Sequence, residues 1–325
     1  MNRLITTLAL AMLALPALAG PPKAPEPPKP GRAQPERQLV AVDERPAADG
    51  SRAVSARRTM APDGEVRISN LAGSVKVVGW DRSEVEVSGT IGEDVERLEF
   101  GGNESYTVVR VVLPHGNRCC QDGEAALVIS VPRVARIDAD TVSADVAVEG
   151  AAGTVRVISV SGEIGLRTRS RDLTASSVSG TVEVVGNGAA GRIAARSVSG
   201  DIDIQGAEGE FETESVSGDV KVQRSRAARL TMKSTSGDVV YDGGLGSGSY
   251  EFLTVSGDVL IVVSGARDAI FDVSTLSGDI DNAFGPKPRR TSEYSPGYEL
   301  RFTEGRGAAR VRINTLSGEV RLDAR

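Results

Sequence analysis

Along most of this chain apolar and polar residues alternate with period two, and the alternation restarts every 18 to 21 residues around one short phrase. The phrase reads T-V-S-A-D-V at Thr141, S-V-S-G-E-I at Ser159, S-V-S-G-T-V at Ser177, S-V-S-G-D-I at Ser197 and S-V-S-G-D-V at Ser215. It returns as S-T-S-G-D-V at Ser234, T-V-S-G-D-V at Thr254, T-L-S-G-D-I at Thr275 and T-L-S-G-E-V at Thr315. Aligned on the phrase glycine, the position seven before it is Ile137, Val155, Leu173, Ile193, Phe211, Leu230, Tyr250, Phe271 and Val311. The position two after it is Val146, Ile164, Val182, Ile202, Val220, Val239, Val259, Ile280 and Val320. Period two with β-branched residues predicts strands with one buried face.

The alternation changes phase once per copy. Positions −7, −5 and −3 share one parity, and −2, +2 and +4 share the other. Two neighbours, such as Ser215 and Val216, are therefore expected to point inward together at a corner or bulge. The glycine follows that corner, where a positive φ or a close backbone approach is expected. Each copy then holds two short strands around a bend, plus a second turn often marked by Gly, as at Gly186–Gly191 and Gly243–Gly248.

A coil of about 19 residues cannot bury its apolar face alone, whereas stacked coils bury it against one another. The expected fold is an all-β solenoid of about ten coils. No copy has room for a crossover helix, which excludes a βαβ sheet. A sandwich of hairpins is the rival, but it gives no reason for one column to stay apolar through nine copies. The solenoid domain is expected over residues 61–325. A degenerate first copy (Val66, Ile68, Leu71, Gly73, Val75, Val77) opens it, an irregular cap region spans 78–131, and an insertion at 284–309 separates the last two copies.

Composition changes the picture at the N-terminus. Arg3, the apolar run Leu4–Leu15 and Ala17-Leu18-Ala19 form a three-part secretory signal, with cleavage expected after Ala19. The run is too short for a good membrane span. Residues 20–60 are rich in Pro, Ala and Arg and are expected to be a disordered linker or tether. Residues 61–325 carry 29 basic and 39 acidic side chains. That balance argues against nucleic acid as a partner and is compatible with cationic partners or divalent ions.

Candidate chemistry is sparse. The position after the glycine is acidic in most copies, with Asp201, Asp219, Asp238, Asp258 and Asp279 as its clearest run. Two readings fit: Ser-Gly-Asp as turn chemistry that caps backbone N–H groups, or a calcium ladder on a carboxylate column. The second lacks the ligand-dense G-G-x-G-x-D repeat. Serines before the glycine form an outward hydroxyl column, but the single histidine, His115, lies far away in sequence, so Ser-His catalysis is not expected. Carboxylate pairs occur everywhere and specify no glycosidase. Cys119 and Cys120 are adjacent. A strained vicinal bridge, an intermolecular disulfide, thiols without a special role, and a metal site with His115 are the alternatives. No catalytic residue or cofactor is expected.

The repeated S-V-S-G-D-V phrase follows an opening V-x-I-x-N-L-x-G-x-V-x-V-x-G-W-D at Val66–Asp81. Together they resemble the DUF4097 family of exported bacterial β-strand repeat proteins, often labelled adhesins and related to DUF2807 head domains. The resemblance implies a right-handed parallel β-helix and a cell-envelope setting, and it implies no catalytic residues. Ala144 in the glycine column and the Cys119–Cys120 loop depart from the pattern. The resulting expectation is a periplasmic or secreted, non-enzymatic binding, adhesion or scaffolding module, without a transmembrane segment in the mature chain. Its partner is an envelope component or a protein. The alternatives are an envelope-stress sensor that binds cationic peptides and a polysaccharide-acting β-helix enzyme.

Overall fold

Alternating burial follows the alternating sequence. A computed structural model describes residues 38–114, 123–186, 188, 190–292 and 296–325, and among them every regular element is a β-strand. Residues 37–325 form one compact unit. Each repeat contributes two strands, for example Asp172–Ser176 and Val182–Val185, joined by the phrase at a corner. Equivalent strands of neighbouring coils pair in parallel and in register. In the first ladder Leu173 faces Ile193, Ile193 faces Phe211, and Phe211 faces Leu230. In the second, Ile164, Val182, Ile202, Val220, Val239 and Val259 stand one on another. The inner columns of the two ladders meet to form the core. The chain is therefore all-β with a solenoid-like stack.

Two buried phenols interrupt the aliphatic core near the second turn. Tyr241 O–H donates to the Gly244 carbonyl at 2.7 Å, and Tyr250 O–H donates to that of Ala227 at 2.5 Å. Burial pushes both phenols up from their ordinary range. Their polar tips are satisfied while the rings, 5.9 Å apart, fill the interior.

The order of coils in space is not their order in the chain. The first copy, Glu65–Trp80, lies between residues 136–149 on one side and residues 106–110 and 124–132 on the other. The cap region thus contributes an outer coil, joined by antiparallel strands Glu84–Ile91 and Arg97–Asn103. At the other end the last copy, residues 309–324, lies between residues 249–263 and 269–282. The insertion folds back as Tyr298–Glu304, antiparallel to Ala269–Thr275, and stacks Phe302 on Phe271 at 4.7 Å. Antiparallel strands cover much of both outer coils, where bare edges would invite aggregation.

Two sequence expectations are corrected. The linker was expected to run to residue 60, but Gln38–Leu39, Asp43–Pro46 and Arg52–Thr59 are strands, and Val54, Ala56 and Met60 are buried. Arg52–Thr59 pairs along its whole length with Glu84–Ile91. A weakly apolar segment becomes ordered because a distant strand supplies its hydrogen bonds. The second correction concerns the corner. Ser215 is buried, but Val216, expected to point inward beside it, is 44% exposed. The phase change arises from two consecutive outward residues, at −2 and −1, because a convex corner has room outside and none inside. Residues 1–37, which hold the expected signal and most of the linker, lie outside the described residues, as do His115, Cys119 and Cys120.

Candidate interaction surface

The corner phrase places a different chemistry in each of its columns. The first residue points inward and sets the bend. Gly162, Gly180, Gly200, Gly218 and Gly237 donate their N–H to Oγ of Ser159, Ser177, Ser197, Ser215 and Ser234 at 2.8–3.0 Å. The glycine itself is required by stacking: a methyl group on Gly218 would collide with the Gly200 carbonyl oxygen of the preceding coil. Ala144 is accommodated where its lower neighbour is Gly73.

The last three coils make the corner differently. Gly257 and Gly318 donate instead to the carbonyls of Ser317 and Ser277, both at 3.2 Å. The inward residues there are Thr254, Thr275 and Thr315, and their buried hydroxyls have no hydrogen-bond partner among the described residues.

The second phrase residue faces solvent in coil after coil. Leu71, Val142, Val160, Val178, Val198, Val216, Val255, Leu316 and Leu276, in spatial order, are 38–56% exposed, and Thr235 takes the place between Val216 and Val255. Backbone bonds hold this file in line: Ser179 N–H to the Val160 carbonyl, Ser199 to Val178 and Ser217 to Val198. At about 4.8 Å per coil the file is roughly 43 Å long. Contiguous exposed apolar surface of this kind marks contact sites more often than chance exposure does. The serine column lies beside it, with Ser161 Oγ 3.3 Å from Ser143 Oγ.

The acidic column comes next, and its main task is visible. The Asp219 N–H donates to Asp201 Oδ1 at 2.9 Å, Asp238 to Asp219 at 3.0 Å, Asp258 to Asp238 at 2.9 Å and Glu319 to Asp258 at 2.8 Å. Each carboxylate thus clips the next coil through one oxygen, which is backbone capping carried between coils. Asp279 does not follow Asp258 directly, because the coil of Glu319 lies between them. Among the described residues no group of three or more His, Cys, Asp and Glu is placed to hold a metal ion. Lys221 pairs with Asp219 at 3.2 Å. Ion pairs of this kind at the surface contribute little to stability.

Where the two corner types meet, the surface opens into a groove of about 480 Å³. Its lining includes the exposed Val216, Thr235, Val255 and Leu316 and the buried Ser215, Ser234, Thr254 and Thr315. The alternation along the chain places the column of Val216, Thr235, Val255 and Leu316 in the core, whereas it faces solvent. The signal that could have corrected it is Thr235, a polar residue in an otherwise aliphatic column.

A parallel stack whose repeated corner carries apolar, hydroxyl and carboxylate files belongs to the class of all-β, solenoid-like repeat proteins. More particularly, the chain belongs to the Toastrack family DUF4097, whose model matches residues 59–226 and 127–323. No curated protein matches. Among solved structures the chain is similar to a candidate adhesin from Bacteroides fragilis, at 10% identity over 83% of this chain and 96% of that one, with a TM-score of 0.37. It is also similar to a candidate lipid-binding protein from Parabacteroides distasonis (11% identity, 83% and 96%, TM-score 0.36). A third is a candidate cell adhesion protein from Clostridium sporogenes (8%, 83% and 99%, TM-score 0.21).

Proposed function

We propose that this protein is a non-enzymatic binding or adhesion module of the cell envelope, built as a right-handed β-helix of about ten coils. In this reading a secretory signal at residues 1–19 delivers the chain to the periplasm or the exterior. The observation that carries the binding role is the exposed aliphatic file, flanked by serines and carboxylates, along the corners of the stack. Burying a row of half-exposed valines would yield about 25 cal/mol per Å² of apolar area removed from water. The ordered stack presents that row without further loss of backbone entropy on binding. The partner is an envelope component or protein with an apolar ridge. A second reading, capture of cationic peptides, is favoured by Asp201, Asp238 and Asp258, which form no ion pair among the described residues.

The test is retention of an envelope fraction on the mature chain and on a Val160→Ser, Val178→Ser, Val198→Ser variant, at low and high salt. The proposal expects the variant to lose at least tenfold of the retained material with its melting temperature unchanged. Loss with salt alone, equal for both chains, would favour the cationic-peptide reading. Equal, salt-independent retention would refute both.

A further inference from the structure

The last coil of the sequence fills a slot that the chain has already built. Residues 249–263 form one wall and residues 269–282 the other, and residues 309–324 pair with both in parallel. Val311, Ile313, Val320 and Leu322 of the filling coil are fully buried. Without that coil both walls are open strand edges, each able to pair with a further strand.

Three further features separate this coil from the rest. Its entry is a four-residue turn, 305–308, in which Gly305 and Gly307 take φ of +65° and +74°. That turn is held by one carboxylate: Asp268 Oδ1 accepts the N–H of Arg306 at 2.6 Å and of Ala308 at 3.2 Å. Its exit is held by an ion pair between Arg325 and Asp242 at 3.0 Å, with Arg325 largely exposed. The wall and filler corners also hold Thr254, Thr275 and Thr315, whose buried hydroxyls have no partner among the described residues. The coil is thus seated by ladder bonds and apolar burial, closed by two surface latches, and joined through a short hinge. Short hinges invite exchange of the element they carry. The slot is also unselective about whose coil it takes, because recognition runs through backbone register and a repeated phrase.

We infer that this slot is a site of coil exchange between two copies of the chain: the 309–324 coil of one copy seats in the slot of a second, and the reverse, with 305–308 as the hinge. The exchanged contacts are those of the closed form, so the equilibrium is set by protein concentration against the effective concentration of the tethered coil. This inference is independent of the aliphatic file.

The experiment uses full-length chains in a Cys119→Ser, Cys120→Ser background. Ser256 and Ser317 are register partners at exposed positions, about 4.8 Å apart by strand spacing and within disulfide range. One chain carries Ser256→Cys and another Ser317→Cys. They are mixed at high concentration, incubated and then oxidised. A disulfide yield between these two chains above that of collisional cross-linking reports the coil of one in the slot of the other. The expected result is a cross-linked heterodimer at least tenfold above that of a Ser217→Cys chain mixed with the Ser317→Cys chain, and a higher yield when Asp268→Ala removes the acceptor that holds the hinge. The double variant Ser256→Cys, Ser317→Cys in one chain should close in cis and remain monomeric. Intrachain closure in that variant, with no heterodimer above the control even with Asp268→Ala, would overturn the inference.

Discussion

Opposite responses are expected from two equivalent inward positions of the corner, Ser215 and Thr254. Both side chains are buried. Ser215 Oγ accepts the Gly218 N–H at 3.0 Å, whereas Thr254 Oγ1 has no partner among the described residues because the Gly257 N–H is committed to the Ser317 carbonyl. Changing Ser215 to Ala leaves a buried N–H unsatisfied, which costs about 1–3 kcal/mol. Changing Thr254 to Val removes a buried hydroxyl that makes no bond and puts a methyl group in its place. Uncompensated burial of a hydroxyl costs about 1–3 kcal/mol in proteins, so the variant should gain up to that amount. For a domain of this size each kcal/mol moves the melting temperature by roughly 2–4 °C. Thermal melts should therefore separate the two variants by several degrees, Ser215→Ala below the parent and Thr254→Val at or above it. The positions lie two coils apart and share no bond, so the double variant should show the sum of the two shifts. If both substitutions destabilise by the same amount, the division into two corner types is wrong.

Other expectations follow from the same geometry. Gly218→Ala should destabilise strongly because its methyl group meets the Gly200 carbonyl, while Gly165→Ala, with nothing within 4 Å of the added carbon, should melt like the parent. Val220→Asp or Ile202→Asp buries an unpaired charge and should prevent folding locally. Asp219→Asn keeps an oxygen for the Asp238 N–H and should cost well under that in urea unfolding. Melts in EDTA and in millimolar calcium should superimpose, since the column carboxylates already clip neighbouring coils. A large calcium shift lost in Asp219→Asn, Asp238→Asn would show a metal ladder instead. The Ala308 N–H, first among several causes, holds the Asp268 carboxyl below its usual range. A carboxylate with a depressed folded value stabilises at neutral pH, and that contribution is lost as pH falls through the folded value. Proteolysis within the 305–308 hinge should therefore rise in acid for the parent and change less for Asp268→Asn.

The repeat, the strand pairs and the membership of most core columns were legible in the chain itself. Val182, Ile202 and Val220 recur at one offset from a glycine, and no fold without stacking explains that. The glycine column was legible too, because only a position with no room for a methyl group stays Gly in copy after copy. The outward aliphatic file was not, because Val216 is as apolar as Val220 and only the curvature of the corner decides which one the core receives. Nor was the order of the coils. Every copy presents the same ladder, so local sequence allows residues 309–324 to stack beyond residues 269–282 as readily as before them. The hairpin that covers the outer coil and the turn around Asp268 decide between these. Both rest on contacts between residues 29 to 40 positions apart. The strand at Arg52–Thr59 has the same origin: it exists because Glu84–Ile91 offers it a ladder, and no feature of its own residues announces that partner.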